Sequence, residues 1–485
     1  MDLLERIDAW RRLVPERVAH RSPHGSLTYA QLAQGSDAVA ACITRSLPDD
    51  GSPVVIVGHK ESSMLLGFLG SVKAGHPYVP LDTSLPAQRV ERIVESAGAH
   101  LVLTPPRIDE MLGARAGPSA TRLSNTDTYY VMFTSGSTGE PKGVAITLGC
   151  LTSFVDWMIG EHAFGADGPE VFLNQAPFSF DLSIMDLYLS LVTGGTLVSL
   201  TADEIGNPRQ LFHALGASDV STWVSTPSFA QLCLAEKRFD STLIPTVQRF
   251  ILCGETLPSA VAGQLLDRFP ASEVWNTYGP TEATVATTSV RIDRAVLARH
   301  PTLPVGYPKP DSRVVVLDAH DRPVTEGERG EIVIAGLNVS PGYLNRPDLT
   351  ARSFFQLDGL QAYRTGDWGH FADGLLFFEG RIDSQIKLHG YRIELGDVEA
   401  NLRRLVGVRD AIVVPLYRDA RVDSLAAFVI GRDPETGFTA EQSLRRALAA
   451  RLPAYMVPRV MKIVEAFPLT PNGKVDRRAL AQTLA

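Results

Sequence analysis

The chain has 485 residues, 45% apolar and 21% charged, with a formal net charge of −8. That length exceeds what one core holds, so two or more domains are expected. With no basic run, nucleic acid is not the expected main partner; no apolar segment approaches the ~20 residues of a membrane span, and the opening Met1-Asp-Leu-Leu-Glu-Arg lacks the apolar core of a secretory signal. The four cysteines (Cys42, Cys150, Cys233, Cys253) and the eleven histidines are dispersed. No Cys-x-x-Cys, His-Glu-x-x-His or Gly-x-Ser-x-Gly occurs, so zinc, metalloprotease and α/β-hydrolase readings lack their key residues. Reduced thiols in a cytoplasmic protein are the expectation.

Leu27-Thr-Tyr-Ala-Gln-Leu opens a helical pattern with Thr28 placed to cap it. Val54-Val-Ile-Val-Gly reads as a buried strand, 62–72 as a helix, Tyr78-Val-Pro-Leu as a strand, 86–96 as a helix and His100-Leu-Val-Leu-Thr as a strand. This alternation, repeated over 144–290, predicts an α/β fold with a largely parallel, doubly wound sheet. Short strands and turns over 312–334 predict a small β-rich subdomain. The segment 383–485 reads as an α+β domain: a hairpin, a helix over 396–405, strands over 411–416 and 425–430, a helix over 440–452 and a final strand. The predicted division is 1–382 and 383–485.

The most informative stretch is Tyr129-Tyr-Val-Met-Phe-Thr-Ser-Gly-Ser-Thr-Gly-Glu-Pro-Lys-Gly143. A strand-like run ends in a Gly/Ser/Thr loop closed by Pro-Lys-Gly. Clustered backbone N–H groups, hydroxyls and one ammonium suit a polyphosphate. The loop is neither a Walker A nor a Rossmann fingerprint. A flexible linker is the plain alternative, but linkers seldom follow a buried strand directly.

Six further segments join it: Asn174-Gln-Ala-Pro-Phe-Ser-Phe-Asp181, Asn276-Thr-Tyr-Gly-Pro-Thr-Glu282, Gly330-Glu-Ile-Val-Ile-Ala-Gly336, Tyr363-Arg-Thr-Gly-Asp367, the run 380–394 and Pro471-Asn-Gly-Lys474. In this order they resemble the adenylate-forming superfamily, and within it the stand-alone amino-acid adenylation enzymes related to nonribosomal peptide synthetases. The resemblance covers nearly the whole chain; the segment 104–127 is short for the family. It implies a large N-terminal adenylation core followed by a small mobile C-terminal domain. It also implies two half-reactions: a carboxylate displaces pyrophosphate from ATP, and a thiol then displaces AMP. The first step calls for positioning and charge neutralisation more than covalent help.

On that resemblance Thr134, Ser135, Gly136, Ser137, Thr138, Gly139 and Lys142 grip the β- and γ-phosphates. Thr281 contacts the α-phosphate, and Glu282 holds Mg²⁺, which suits an oxygen-only site of one carboxylate plus phosphates. Asn276, Thr277 and Tyr278 receive adenine, and Asp367 accepts both ribose hydroxyls with Arg381 in support. Lys474 is the catalytic lysine bridging the carboxylate and α-phosphate, and Asp383 the hinge about which the second domain turns. Taken singly, several have plainer readings: Glu282 as a helix-start acid, Tyr278 as a core ring, Thr-Gly-Asp367 as a surface turn, and Lys474 as a solvated lysine.

Asp181 stands where amino-acid-activating members carry an acid for the substrate α-ammonium; CoA ligases have no ammonium to bind. A buried cation needs a counter-charge. The alternative is an N-cap on the helix 182–191. The remaining pocket positions, Leu182, Met185, Ser225, Ile251, Cys253, Gly254, Thr277, Val285 and Ala286, carry no charge, so a small aliphatic amino acid is expected. Together these stretches look like the D-alanine:D-alanyl carrier protein ligase family, in which a cysteine matching Cys253 bears on the choice of D over L. A plain core thiol is the alternative for Cys253. The implied partners are D-alanine and a separate carrier protein with a phosphopantetheine arm, with no nucleic acid and no membrane insertion. Open alternatives are another small amino acid (L-alanine, glycine or a β-amino acid), a CoA ligase, and a non-catalytic nucleotide-binding relative.

Overall fold

The computed structural model describes residues 2–113, 123–136, 139–166, 168–382, 385–388, 390–418, 421–431, 438–468 and 475–484. Contacts divide the chain into two units. One holds Met1–Asp82, Ala97–Met132 and Gly143–Ile382; the other holds Thr83–Ser96, Phe133–Lys142 and Asp383–Ala485.

The first unit is built on two sheets of α/β type and one antiparallel sheet. In the nine-stranded sheet the order is Tyr307–Pro308, Thr288–Ile292, Glu273–Tyr278, Arg249–Leu252, Thr222–Ser225, Val171–Asn174, Thr196–Ser199, Val18–Ser22, Gly25–Thr28. Its centre is parallel, whereas Thr288–Ile292 and Gly25–Thr28 pair antiparallel at the two ends. The alternation of strands and helices accounts for the parallel centre, because each crossover returns the chain to the same edge. The antiparallel ends are hairpins that the rhythm alone does not reveal. A six-stranded sheet runs Gly342–Tyr343, Lys142–Thr147, Thr128–Thr134, Tyr78–Asp82, Val54–Gly58, Leu101–Leu103. The β-rich subdomain is a five-stranded antiparallel sheet in which the 13-residue strand Leu360–Ala372 pairs with Gly330–Gly336, Phe354–Leu357 and Leu375–Arg381.

The strands Val54–Gly58 and Tyr78–Asp82 are almost wholly buried, as expected of parallel strands covered on both faces. Thr28 caps the helix Tyr29–Ser46 as its sequence indicates: its side chain accepts from Gln31 N, and Gln31 reaches back to Thr28 N. The helix Leu3–Leu13 was not anticipated, although Asp2 and Glu5 form the same reciprocal box. Among the described residues no helix is long and apolar enough to cross a membrane.

The second unit packs the hairpin Gln385–Leu388/Tyr391–Glu394 and the helices Leu395–Arg403 and Phe438–Ala449 with the three-stranded sheet Val408–Arg418, Arg421–Gly431, Val460–Ile463. Ile393, Val398, Leu402, Val413, Ala427 and Val429 form its core. A short terminal helix, Arg477–Gln482, follows, capped by Asp476.

Candidate active site

Four adjacent parallel strands end at one edge of the nine-stranded sheet, in register Asn174↔Val224↔Ile251 and Ser225↔Leu252↔Asn276. Ligands of open α/β sheets bind beyond such carboxyl ends. Asn276, Thr277 and Tyr278 finish one of these strands, Cys253 and Gly254 follow the next, Ser225 ends the third, and the fourth leads through 175–180 to Asp181.

Tyr278 donates its hydroxyl to Oδ2 of Asp367 at 2.6 Å, and Arg381 donates Nη1 to Oδ1 at 2.7 Å. Asp367 and Arg381 are register partners on neighbouring strands, which brings them together. Arg381 also donates to Thr365 O (3.0 Å), and the Thr365 hydroxyl accepts from Asp367 N (3.0 Å). All three side chains thus aim one carboxylate. A carboxylate has about four lone-pair sites, so each oxygen keeps capacity for one more donor. Burial, reinforced by the Asp367 charge, drives the Tyr278 phenol well above the usual tyrosine value, so it stays a donor. Asn276, buried, donates its amide to Pro304 O at 2.7 Å.

Thr281 and Glu282 lie in the 3-10 turn Thr281–Ala283. Glu282 is 0% exposed, and Oε1 accepts the Tyr343 hydroxyl at 2.7 Å. Two non-glycine residues after it are left-handed, Thr284 (φ 53°) and Val285 (φ 66°). Such geometry costs on the order of 1–3 kcal/mol per residue and persists only where neighbours impose it. Asn338 imposes it here: its amide donates to Ala283 O (2.8 Å) and Thr287 Oγ1 (2.9 Å), while its own carbonyl accepts Thr284 Oγ1 (2.7 Å). At Gly279 a Cβ would sit 2.7 Å from Ala286 Cα, so only glycine fits. Asn338, Tyr343 and Thr365 were given no role by sequence reasoning; Thr365 lies inside the quoted Tyr363–Asp367 motif, whereas nothing in the local pattern of Asn338 or Tyr343 marks them as supports.

Asp181 is 8% exposed and precedes the helix Leu182–Thr193. Its side chain makes no capping bond to that helix, so the capping alternative is not realised. Leu182, Met185, Ile251, Cys253, Val285 and Ala286 share one buried cluster with Tyr278. Cys253 Sγ lies 3.8 Å from Val285 O, and Cys253 N donates to Ser225 O at 3.2 Å. A Cβ at Gly254, whose φ is +91°, would lie 3.6 Å from the Phe180 ring. The hydroxyls of Ser225 and Thr277 are spent inside the protein, Ser225 on Thr226 O (3.0 Å) and Thr277 on Leu252 O (3.1 Å).

In the second unit, Ser135 donates to Arg392 O at 2.9 Å and accepts from Glu394 N at 3.0 Å. Gly136 is backed so closely by Glu140 O that a Cβ would be 2.2 Å away, and Gly139 holds φ +82°. The Thr134 hydroxyl is buried with no partner among the described residues, an orphan of the kind a ligand oxygen satisfies. Lys142 begins the strand Lys142–Thr147. Ser137, Thr138, Asp383 and Lys474 lie outside the described residues.

Comparison with known proteins agrees with this geometry. Residues 7–344 match the family model described as AMP-binding enzyme, and 397–474 its C-terminal domain model. The chain is 44% identical, over 99% of both sequences, to a D-alanine--D-alanyl carrier protein ligase of Bacillus anthracis and to another of Bacillus cereus. The fold is that of the Vibrio cholerae adenylation domain AlmE in complex with glycyl-adenosine-5'-phosphate (TM-score 0.87, 21% identity, covering 99% of this chain and 97% of that one). It also matches holo-PA1221, an NRPS protein containing adenylation and PCP domains (TM-score 0.82, 27% identity, covering 99% and 84%). The chain therefore belongs to the AMP-binding enzyme family and is an adenylate-forming ligase, similar over 99% of its length to D-alanine--D-alanyl carrier protein ligases.

Proposed function

We propose that this ligase activates D-alanine with ATP and transfers the alanyl group to the phosphopantetheine thiol of a separate carrier protein. The observation that carries the reading is Asp181: a buried acid, just beyond the carboxyl ends of the parallel strands, that its own helix does not use as a cap. A buried carboxylate favours a cation beside it, and the α-ammonium of an amino acid supplies one. Cys253, Met185 and Val285, buried in one apolar cluster, offer no charge to a polar side chain and so suit a small aliphatic one, and the names of the 44% identical relatives point the same way.

In the first half-reaction a substrate carboxylate oxygen bonds to the α-phosphorus and the bond to the pyrophosphate oxygen breaks. Asp367 orients the ribose through its two hydroxyls, with Tyr278 and Arg381 holding the carboxylate still. Glu282 is the oxygen donor that suits Mg²⁺ beside phosphates, and the ion would neutralise charge on the transferring group, while the Thr281 hydroxyl would contact the α-phosphate. Lys474 would bridge the substrate carboxylate and the α-phosphate. In the second half-reaction the thiolate sulfur bonds to the acyl carbon, AMP leaves with the bonding electrons, and rotation at Asp383 separates the two steps.

Amino-acid-dependent ATP–pyrophosphate exchange with D-alanine, L-alanine, glycine, serine, valine and β-alanine tests this. Preference for D-alanine is the expected result. Preference for another small amino acid would overturn the D-alanine assignment while keeping the chemistry. No exchange with any amino acid, with ATP still bound, would overturn the amino-acid reading itself.

A further inference from the structure

Beneath the segment that carries Asp181 lies a buried cation that the reaction scheme above leaves unused. Lys60 is 1% exposed, and its ammonium donates to Asn174 Oδ1 and to Ala176 O. The same ammonium lies 4.7 Å from the centre of the Phe178 ring. Asn174 passes the contact on: its amide donates to Asp186 Oδ1 at 2.9 Å, and its Oδ1 also accepts Ser199 Oγ at 2.7 Å. Asp186 is 0% exposed, and its Oδ2 has no partner among the described residues. It lies one turn along the helix from Leu182 and next to Met185.

This arrangement is costly. Burying a lysine and an aspartate away from water is unfavourable unless the pair is closely coupled. Here an amide separates the two charges. Lys60 is also left-handed at φ 63°, a conformation that is strained for a non-glycine residue. An apolar side chain would fill the volume at less cost. The contacts of Lys60 fall on Asn174, Ala176 and Phe178, all in the segment that ends at Asp181.

We propose that Lys60, with Asn174 and Asp186, is a positioning residue for the amino-acid site: it pins the backbone at Ala176 and the ring of Phe178, and so fixes where the Asp181 carboxylate stands. The inference rests on the ammonium-anchor role of Asp181. The contacts of Lys60 fall on Asn174, Ala176 and Phe178 rather than on Tyr278 or Asp367, so its effect is expected on amino-acid binding.

Lys60→Met keeps the length of the side chain and removes its charge. In pyrophosphate exchange it should raise the amino-acid KM about tenfold or more while the KM for ATP stays within about twofold. Because Lys60→Met strands Asp186, the double variant Lys60→Met/Asp186→Leu is measured beside it, with Tm as a second readout. The double variant should recover Tm and keep the high amino-acid KM. A wild-type KM in folded Lys60→Met, or a KM restored together with Tm in the double variant, would show that the cluster serves only charge balance and would overturn the proposal. Asp181→Asn separates the two layers. If it leaves the amino-acid KM unchanged, the anchor reading fails; if it raises that KM while both Lys60 variants do not, only the positioning role fails.

Discussion

Tyr278 and Asp367 are 89 residues apart in sequence, yet the phenol donates to the carboxylate at 2.6 Å. The bond joins the end of a nine-stranded-sheet strand to the long strand of the β-rich subdomain. A hydrogen bond to a charged acceptor contributes about 1.5–3 kcal/mol. Tyr278→Phe keeps the ring and frees the carboxylate, so the KM for ATP should rise roughly tenfold, with the amino-acid KM little changed. Exchange kinetics with each substrate varied in turn measure both.

Glu282→Gln preserves shape and can still accept the Tyr343 hydroxyl, but it removes the one negative charge. The fold should therefore hold, with Tm close to wild type. Turnover should fall by about a hundredfold or more, since an electrostatic contact to the transferring group is typically of that size. A Glu282→Gln enzyme with wild-type kcat at saturating Mg²⁺ would remove Glu282 from the metal site.

Asn338 holds the left-handed pair Thr284–Val285 through its amide nitrogen, which donates twice, and through its backbone carbonyl. Asn338→Ala leaves buried Ala283 O and Thr287 Oγ1 short of a donor, a loss of about 2–4 kcal/mol. Urea unfolding should show that loss. Kinetics should show a kcat reduction as well, because the same turn presents Thr281 and Glu282. Unchanged kcat in a destabilised variant would mean that the turn keeps its shape without Asn338.

The sequence made some of this legible and hid the rest for identifiable reasons. The alternating elements declared the parallel sheets, and Thr28 with Gln31 declared a helix start. The seven motifs named the residues that would touch nucleotide and amino acid, because those positions are chosen for ligand chemistry and are local in sequence. Lys60 was invisible: a lysine in a polar-looking Gly-His-Lys-Glu run gives no sign of being buried. Its partners Asn174 and Asp186 lie more than a hundred residues away. Asn338 and Tyr343 were hidden likewise, since their role is to hold another loop. Ser225 stood among the uncharged pocket positions, and nothing in the sequence signals that its hydroxyl accepts from the Trp223 indole and donates to the Thr226 carbonyl.

Acid stability offers a test of the buried histidines. Burial lowers the pKa of both His20 and His162 from 6.5 to about 3. His20 is held between Ser62 (2.8 Å) and Ser199 (2.9 Å), whereas both ring nitrogens of His162 lack partners among the described residues as it packs on Trp275 and Phe164. The unfolded chain therefore binds more protons than the folded chain between about pH 3 and 6.5. Each histidine makes stability fall as pH drops through that window, approaching about 1.4 kcal/mol per pH unit. Asp186, whose carboxyl is raised by burial, acts with the opposite sign, so the total slope is a difference. His162→Phe isolates one contribution: it fits the aromatic site and removes two unsatisfied nitrogens. Its stability should exceed wild type at neutral pH, and the gap should widen as pH falls from about 6.5 to about 4.5. Urea midpoints of both proteins across that range measure it, and a pH-independent gap would show that His162 gains its proton without unfolding.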